Sequence, residues 1–428
     1  MRERPQVLPR LGIVAEPWFR NLWWGRTISH MGDYAFRIAF ATYIISATHS
    51  PVVLGASTAA LLLPSLVFYL VGGVASDRAA ARRTIMIGAD LGRCVVTAAI
   101  AVLLPLTGEV WLLVALAVLV GIGDGFFQPA SFAFLKEIVP RDRLANANSA
   151  MSVSQQIGLI AGPMLGGLLV GLAGSTMAFA FDAVTFAVSA VFIALIRYRP
   201  AGREATPDTG GPRGVRRVLT EVGEGFGYVR GHRWLQIALL VGPAANAVFA
   251  GALAVTVPLI MAPEGAADAR TLGQFYAVQA VGAFTGALLV GRVRLDRLGP
   301  LLFGALALMA ASLAGVGLIG RSPVAYAMAF GYGIGLHFFN TLFPTVLHER
   351  VPDRLLGRVS SVMTLCFTGL MPVGQLVIGP LAAASTARVA TTAASAVVTV
   401  VCLVTILAPS IRALRRSPVP DPVPAATA

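Results

Sequence analysis

Four ionisable residues recur at helical spacing within the first long apolar segment of the chain. They are Arg26, His30, Asp33 and Arg37, in the stretch RTISHMGDYAFR. Intervals of four, three and four residues place them on one face of a helix. A carboxyl group flanked by an imidazole and guanidinium groups can take up and release protons. We therefore expect proton exchange here, centred on Asp33, with a neutralised structural pair as the alternative.

Three further acids fall inside apolar segments, and all lie in the N-terminal half: Asp90, Asp124 and Asp182. Ionisable residues inside such segments are costly and mark functional sites. Asp182 is a second candidate for proton exchange. We expect Asp90, Asp124 and Arg93 to form a cytoplasmic gate network with the basic loop GGVASDRAAARR at 72–83. The loop members of this predicted gate are Gly73, Asp77, Arg78, Arg82 and Arg83.

Several kinds of chemistry have no signature in the sequence. It has no Gly-Lys-Ser/Thr phosphate loop, no Cys/His metal spacing and no nucleophile clustered with a base. Direct use of ATP would require the first of these. We therefore expect a protein that is not an enzyme and holds no metal or cofactor.

The elements that must position these residues are apolar. The chain has 428 residues, of which 56% are hydrophobic and only 12% charged, whereas a soluble domain has about 25% charged residues. Segments of about 20 apolar residues can cross a bilayer as helices. The sequence therefore predicts an all-α polytopic membrane protein with twelve transmembrane helices. Their approximate spans are 19–47, 52–76, 84–106, 109–135, 144–170, 174–197, 233–261, 271–291, 299–319, 322–347, 357–384 and 386–411.

The positions of the basic residues predict an orientation. If both termini are cytoplasmic, only Arg270, Arg321 and Arg388 lie in outer loops and three more lie within segments, which leaves 27 of the 33 Lys and Arg on the cytoplasmic side. Positive residues favour that side. We expect a monomeric, multi-pass protein of the plasma membrane. Its net charge of +13 is then an orientation signal, and because the basic residues are dispersed over short segments we expect no nucleic-acid partner. The expected partner is the lipid bilayer.

The chain divides into two halves that repeat each other. The polar stretch 199–217 is rich in Pro and Gly and predicts a linker. GIGDGFFQ at 121–128 matches GIGLHFFN at 333–340, and the alignment continues without a gap. Two pseudo-symmetric six-helix bundles are a transporter architecture with the binding site between them. The predicted parts are the N-terminus 1–18, the bundles 19–197 and 233–411, the linker 198–232 and the tail 412–428.

The fifth segment contains the stretch GLIAGPMLGG, whose key members are Gly158, Gly162, Pro163, Gly166 and Gly167. Glycines at every fourth residue form a smooth face that a neighbouring helix can approach closely. The proline predicts a bend. One interpretation is static packing. The other is that this face meets the counterpart helix of the second half and seals the space between the halves.

Aromatic residues cluster near the same segments and at repeat-related positions. The candidates for a central apolar cavity are Tyr34, Phe126, Phe127, His337, Phe338, Phe339 and Asn340. Ordinary packing inside a bundle is the alternative for each of them. Apolar cavities with few polar groups suit bulky, lipophilic ligands.

Three motifs together resemble the major facilitator superfamily over nearly the full chain. The loop at 72–83 is similar to the family pattern G-x-x-x-D-R-x-G-R-R, with Ala80 in place of the usual glycine. The stretch 126–149 is similar to the helix 4–5 hairpin of the twelve-helix drug:proton antiporter branch, which includes macrolide and enterobactin exporters. The stretch 158–167 is similar to its antiporter motif. The arginine that many of these antiporters have on the fourth helix is missing here.

The resemblance implies a major facilitator fold and a bacterial exporter. Its expected substrates are small, lipophilic molecules such as drugs, antibiotics, siderophores or other natural products, exported by proton antiport with alternating access. An importer or facilitator of the same fold is the principal alternative. A membrane sensor or a membrane enzyme would be a different class, distinguished by ligand binding without transport or by activity without a gradient.

Overall fold

The computed structural model describes residues 11–78, 82–197, 215–291 and 297–415. Long helices dominate this part of the chain, and we number thirteen of them. They are α1 (Pro17–Thr48), α2 (Pro51–Arg78), α3 (Arg82–Thr107), α4 (Val110–Ile138), α5 (Leu144–Ala173), α6 (Ser175–Ala194), α7 (Val215–Arg230), α8 (Arg233–Met261), α9 (Ala269–Val290), α10 (Leu298–Ile319), α11 (Pro323–Arg350), α12 (Asp353–Gly369 and Met371–Ala384) and α13 (Ala387–Leu407).

The number of membrane crossings agrees with the sequence. Within the described residues, ten helices are both long and apolar enough to span a membrane. The two others, α1 and α11, have 32 and 28 residues, which exceeds the ~20 that a bilayer core requires. They are the helices on which the sequence analysis placed Asp33 and His337. Twelve crossings and the linker helix α7 therefore make up this part of the chain, as the sequence predicts.

The twelve helices form two bundles of six. In the N-terminal bundle α1 packs on α5 and α6, α2 packs on α4, and α3 packs on α4 and α6. In the C-terminal bundle α9 and α10 pack on α11, α10 also packs on α13, and α12 packs on α8. The linker helix α7 lies against the first half of α12, where a Cβ at Gly225 would meet the Arg358 carbonyl oxygen at 2.6 Å.

The contacts between the bundles join the ends of the helices that lie away from the linker. We call the side where α1 begins and α7 lies the linker side, and the opposite side the far side. The α5–α9 contact brings Gly167 against Ala269, and the α2–α12 contact brings Gly379 against Pro51. Ser46 Oγ accepts a hydrogen bond of 2.9 Å from the Ala266 amide. The first half of α12 packs on α7 and α8 instead.

Two helices depart from regular α geometry for reasons that are visible in the sequence. α8 contains a π-helical turn at Ala252–Thr256, just before Pro258. Because proline has no N–H to donate to upstream carbonyls, the Leu253 carbonyl accepts a hydrogen bond from the Tyr276 hydroxyl of α9. α12 is interrupted at Leu370, between Gly369 and Pro372. The boundary between the last two crossings lies at Thr386, whose side chain accepts a hydrogen bond from the Val389 amide.

Candidate functional site

A buried arginine on α3 stands at the centre of the charged residues. Arg93 is 2% exposed. Its Nη1 lies 3.8 Å from Asp33 Oδ1 of α1 and 3.6 Å from Asp124 Oδ1 of α4. Its Nη2 donates to Asp90 on its own helix, and Asp90 Oδ2 accepts a second hydrogen bond, of 2.7 Å, from Ser189 Oγ of α6. One guanidinium thus joins four helices.

Two aromatic rings enclose this guanidinium. Arg93 Cζ lies 4.6 Å from the ring centroid of Phe127 and 4.2 Å from that of Phe186. The ring face carries negative charge and attracts a cation, most strongly where water is excluded. Gly123 leaves room for the arginine stem, because a Cβ there would meet Arg93 Cγ at 2.6 Å. The rings and the glycine hold Arg93 in one place.

A second arginine continues the cluster toward the linker side. Arg26 of α1 is 8% exposed, and its Cζ lies 4.9 Å from the ring centroid of Phe127. It donates a hydrogen bond of 3.3 Å to Gln128, whose Nε2 donates one of 3.1 Å to Asp124. His30 Nδ1 lies 3.9 Å from Asp33 Oδ2. Arg26, His30 and Asp33 therefore do meet in the bundle interior, as their spacing predicts.

The position of this cluster differs from the sequence-based expectation. We expected Asp90, Arg93 and Asp124 near the loop at 72–83. At 1.5 Å per residue Arg93 lies about 16 Å along α3, and Asp33 lies about 24 Å along α1. The structure therefore joins the expected gate residues to Asp33 near the middle of the bundle. The physical reason is that a carboxylate buried in a helix bundle must find a cation.

The other expected gate residues lie at the linker-side rim. Arg82 at the start of α3 pairs with Glu137 near the end of α4 at 2.9 Å. Arg83 donates to the carbonyl oxygens of Ile193 and Ala194, where a cation satisfies the unpaired carbonyls at the end of α6. These contacts hold helix ends together. The side chains of Asp77 and Arg78 are outside the described part of the structure. A Cβ placed at Gly73 would have no neighbouring atom of the described structure within 4 Å.

Arg37 and Tyr34 continue the stripe on α1 beyond Asp33. Arg37 is exposed, and its Cζ lies 5.8 Å from the ring centroid of Tyr34. None of the ion pairs between described residues includes Arg37, so the cation within reach of Asp33 is Arg93. We expected Arg37 and His30 to tune Asp33; His30 and Arg93 lie within 4 Å of its carboxyl group, and Arg37 forms no ion pair with it.

The glycine motif of α5 faces two different neighbours. Added Cβ atoms at Gly158 and Gly162 would meet His30 Cβ at 2.5 Å and Tyr34 Cβ at 2.6 Å, and one at Gly166 would meet Ala35 Cα at 2.7 Å. The regular face therefore packs on α1 inside its own bundle. Only the far-side part of the motif crosses to the other bundle, where Pro163 and Gly167 contact α9. The expectation that the glycine face meets the counterpart helix of the second half is wrong, because the helix across the seam is α9.

A comparison with protein families fits this architecture. The model of the major facilitator superfamily matches residues 22–375. The chain belongs to the major facilitator superfamily.

Relatives within the superfamily include efflux proteins. The chain is 26% identical to macrolide efflux protein A of Streptococcus pyogenes over 367 residues, covering 84% of this chain and 87% of that protein. It is 28% identical to the multidrug efflux pump Tap of Mycolicibacterium fortuitum over 364 residues, covering 81% and 85%. The protein is thus a multi-pass membrane transporter.

Solved structures of other superfamily members share the fold. The nucleoside transporter NupG superposes with a TM-score of 0.71 at 11% identity, covering 91% of this chain and 98% of that one. A bacterial homolog of the human lysosomal transporter Spinster gives 0.69 at 16% identity, covering 94% and 100%. At such low identity these structures support the fold and not a substrate.

In a superfamily member the space between the bundles is where a substrate would bind. In the C-terminal bundle, three aromatic side chains of α11 and α12 form a cluster. Phe339 stacks on Phe343, with ring centroids 5.6 Å apart, and both rings lie close to Phe367 of α12. Phe338 and His337 are partly buried, and Asn340 is exposed. Within the described helices α8 to α13 of this bundle, Asp and Glu lie only at the linker-side ends, as Glu349 in the last turn of α11 and Asp353 at the start of α12.

The aromatic candidates of the N-terminal bundle take part in different contacts. Phe126 pairs with Phe68 of α2 at 5.6 Å between centroids. Phe127 is fully buried beneath the two arginines, so its side chain lies inside the bundle and does not line the space between the bundles. The sequence suggested cavity lining or ordinary packing for Phe127; the structure shows cation–π contacts with Arg26 and Arg93 instead.

Three polar or aromatic partners of the cluster escaped the sequence analysis: Gln128, Phe186 and Ser189. Gln128 follows Asp124 by four residues, the spacing of a helical side-chain pair, and that signal was available. Ser189 and Phe186 lie on α6 with no comparable pattern, since only the packing of α6 on α3 brings them to Asp90 and Arg93.

Proposed function

We propose that this transporter exports small, lipophilic molecules from the cytoplasm and is driven by inward proton movement. The observation that carries the proposal is the buried Arg93, which three carboxyl groups share at the middle of the N-terminal bundle. One guanidinium neutralises one negative charge. Each proton that binds to or leaves one of the three carboxyl groups therefore changes the net charge of the cluster. The efflux relatives favour export as the direction.

Asp33 is the carboxyl that we assign to proton exchange. Its side chain is 27% exposed and that of Asp124 is 36% exposed, whereas Asp90 is fully buried. Of the two exposed carboxyl groups, Asp33 also lies 3.9 Å from the titratable ring of His30. A proton and a substrate that compete for one group cannot both occupy it, and this competition is what links their movements. Arg93 takes the place of the arginine that many related antiporters have on the fourth helix. It approaches Asp33 from α3 instead.

The state of the bundles fits an exporter that is ready to load. The 27 basic residues outside the crossings and outer loops favour a cytoplasmic linker side. The bundle contacts described above then close the outer end of the protein. In the C-terminal bundle, across from the Arg93 cluster of the N-terminal bundle, the side chains of Phe339, Phe343 and Phe367 would offer an apolar surface to a lipophilic substrate.

Flux in proteoliposomes with an imposed pH gradient tests this proposal. Asp33→Asn keeps the shape of the side chain and removes its charge, and we expect it to abolish uphill accumulation of a labelled macrolide while downhill exchange continues. The matched control is Asp142→Asn, which neutralises an exposed acid between α4 and α5. Uphill accumulation by the Asp33 variant would contradict the role of Asp33. An unmodified protein that ignores the gradient would favour the facilitator alternative.

A further inference from the structure

Asp182 is a buried carboxyl without a cationic partner. It lies on α6 and is 1% exposed, and none of the ion pairs between described residues includes it. Its Oδ1 accepts a long hydrogen bond of 3.3 Å from Thr185 Oγ1, and its Oδ2 has no hydrogen-bond partner. A carboxylate buried in this way would be several kcal/mol less stable than in water. The bundle interior accommodates the group best with a proton on it.

The neighbour of this carboxyl on α1 is the residue that precedes Asp33. A Cβ at Gly32 would collide with Asp182 Oδ1 and with Thr185 Oγ1. The missing side chain therefore lets the Asp182 carboxyl reach the α1 backbone at the level of Asp33. Thr185 Oγ1 donates a shorter hydrogen bond, of 2.8 Å, to the Asp182 carbonyl, so its contact with the carboxyl is the weaker of the two.

The charged and titratable groups around Asp182 come from two helices. From α1 the group is Asp33, and from α3 they are Arg93, Asp90 and Cys94. α5, which also packs on α6, has no Asp, Glu, His, Lys or Arg. Arg93 is engaged with Asp33, Asp90 and Asp124, so it leaves Asp182 without an ion pair. Of these described groups, Asp33 is the one carboxyl that is partly exposed.

We propose that Asp182 is a second proton-carrying group, which exchanges its proton with the surroundings through Asp33. In this step the O–H bond of the Asp182 carboxyl breaks and one forms on the Asp33 carboxylate, and the reverse step restores the first state. The pair holds one proton on the buried Asp182 and accepts a second proton on the partly exposed Asp33. The inference rests on the proposed proton coupling at Asp33. To that coupling the inference adds a second carboxyl, Asp182, which solvent does not reach directly.

Infrared difference spectroscopy of the protein in lipid films tests the proposal with protons alone. The C=O stretch of protonated carboxyl groups is recorded at neutral pH and after a change from H₂O to D₂O. We expect Asp182→Asn to remove one such band. We expect Asp33→Asn to keep that band and to slow its deuterium shift, since the route through Asp33 is lost. Asp142→Asn should leave both observations unchanged.

Each result supports or overturns the proposal. If Asp182→Asn is not recovered as folded protein, Asp182→Glu keeps a carboxyl on a longer chain and assigns the band by moving it. A spectrum in which neither Asp182 variant alters a protonated-carboxyl band would show that Asp182 carries no proton. An equally fast deuterium shift in Asp33→Asn would show an independent route. If the protein ignores the pH gradient in flux assays and still shows this proton exchange, the antiport proposal is wrong, and the proposal of proton exchange between Asp182 and Asp33 stands.

Discussion

Helices α4 and α11 occupy repeat-related positions, yet their matched side chains make different contacts. Phe127 on α4 lies between two guanidiniums, whereas Phe339 on α11 stacks on other aromatic rings. Gln128 links Arg26 to Asp124, whereas Asn340 is exposed. The position of Asp124 is occupied by a leucine in the second half.

In the function proposed above, this difference separates two tasks between the bundles. The N-terminal bundle holds the cluster around Arg93, which would respond to protons. The C-terminal bundle holds Phe339, Phe343 and Phe367, which would form an aromatic wall that contacts a lipophilic substrate. An exporter that couples the two needs both bundles to move together, and the far-side contacts of α5 with α9 and of α2 with α12 connect them.

The largest effect should come from removing the central cation. Arg93→Ala leaves the carboxyl groups of Asp33, Asp90 and Asp124 without their shared partner. Breaking a buried ion pair costs about 3–5 kcal/mol, so we expect a large loss of thermal stability and no transport. Thermal unfolding of the purified protein in detergent measures the first effect, and flux in proteoliposomes measures the second.

The matched control is an arginine of the C-terminal bundle. Arg388 on α13 donates to the carbonyl oxygens of Gly317 and Leu318 at the far-side end, where water can replace it, so Arg388→Ala should have little effect. Adding Asp90→Asn to Arg93→Ala should restore part of the stability, because fewer carboxylates then lack a partner. Equal stability of the two arginine variants would contradict the idea of a single ionic cluster.

A smaller effect on stability, with loss of transport, should follow from Gly167→Leu. A Cβ at Gly167 would meet the carbonyl oxygen of Ala269 at 2.6 Å and Arg270 Cα at 3.0 Å, and both are backbone atoms that cannot rotate away. The far-side ends should therefore separate. Labelling of a cysteine introduced at Ala269 by a thiol reagent should become faster, since Ala269 is fully buried at this contact.

The same helix provides the control for that variant. Gly171 lies one turn further along α5, and no atom lies within 4 Å of a Cβ placed there. Gly171→Leu should transport and label like the unmodified protein. If Gly167→Leu transports as well as Gly171→Leu, transport does not depend on the close contact between α5 and α9.

The sequence predicts helices well and helix partners poorly, for physical reasons. Apolar runs of membrane length, the linker at 199–217 and the repeat suffice to predict twelve crossings in two bundles. A stripe or a smooth face tells which residues share one side of a helix, as with Asp33 and Gly162. It does not tell which helix lies opposite. That choice depends on packing across the whole bundle, which brings Arg93 to Asp33 and directs the glycine face to α1.

The smallest effect should come from Phe339→Leu, and it tests the comparison most directly. A stacked aromatic pair is worth about 0.5–1.5 kcal/mol beyond the area that it buries. If substrate rests on this wall, its apparent affinity should fall by about two- to tenfold, measured as the substrate concentration that gives half-maximal transport. The dependence on the pH gradient should stay as in the unmodified protein, because the cation–π contacts among the described residues involve other rings.

The matched variant is Phe127→Leu at the repeat-related position. Its ring faces Arg26 and Arg93, and a desolvated cation–π contact is worth about 2 kcal/mol or more. This change should therefore weaken the dependence on the pH gradient and leave the apparent affinity nearly unchanged. If the two variants altered the same quantity, the buried charges and the aromatic wall would belong to one shared site. If their effects were exchanged, Phe127 and not Phe339 would be the residue that substrate contacts.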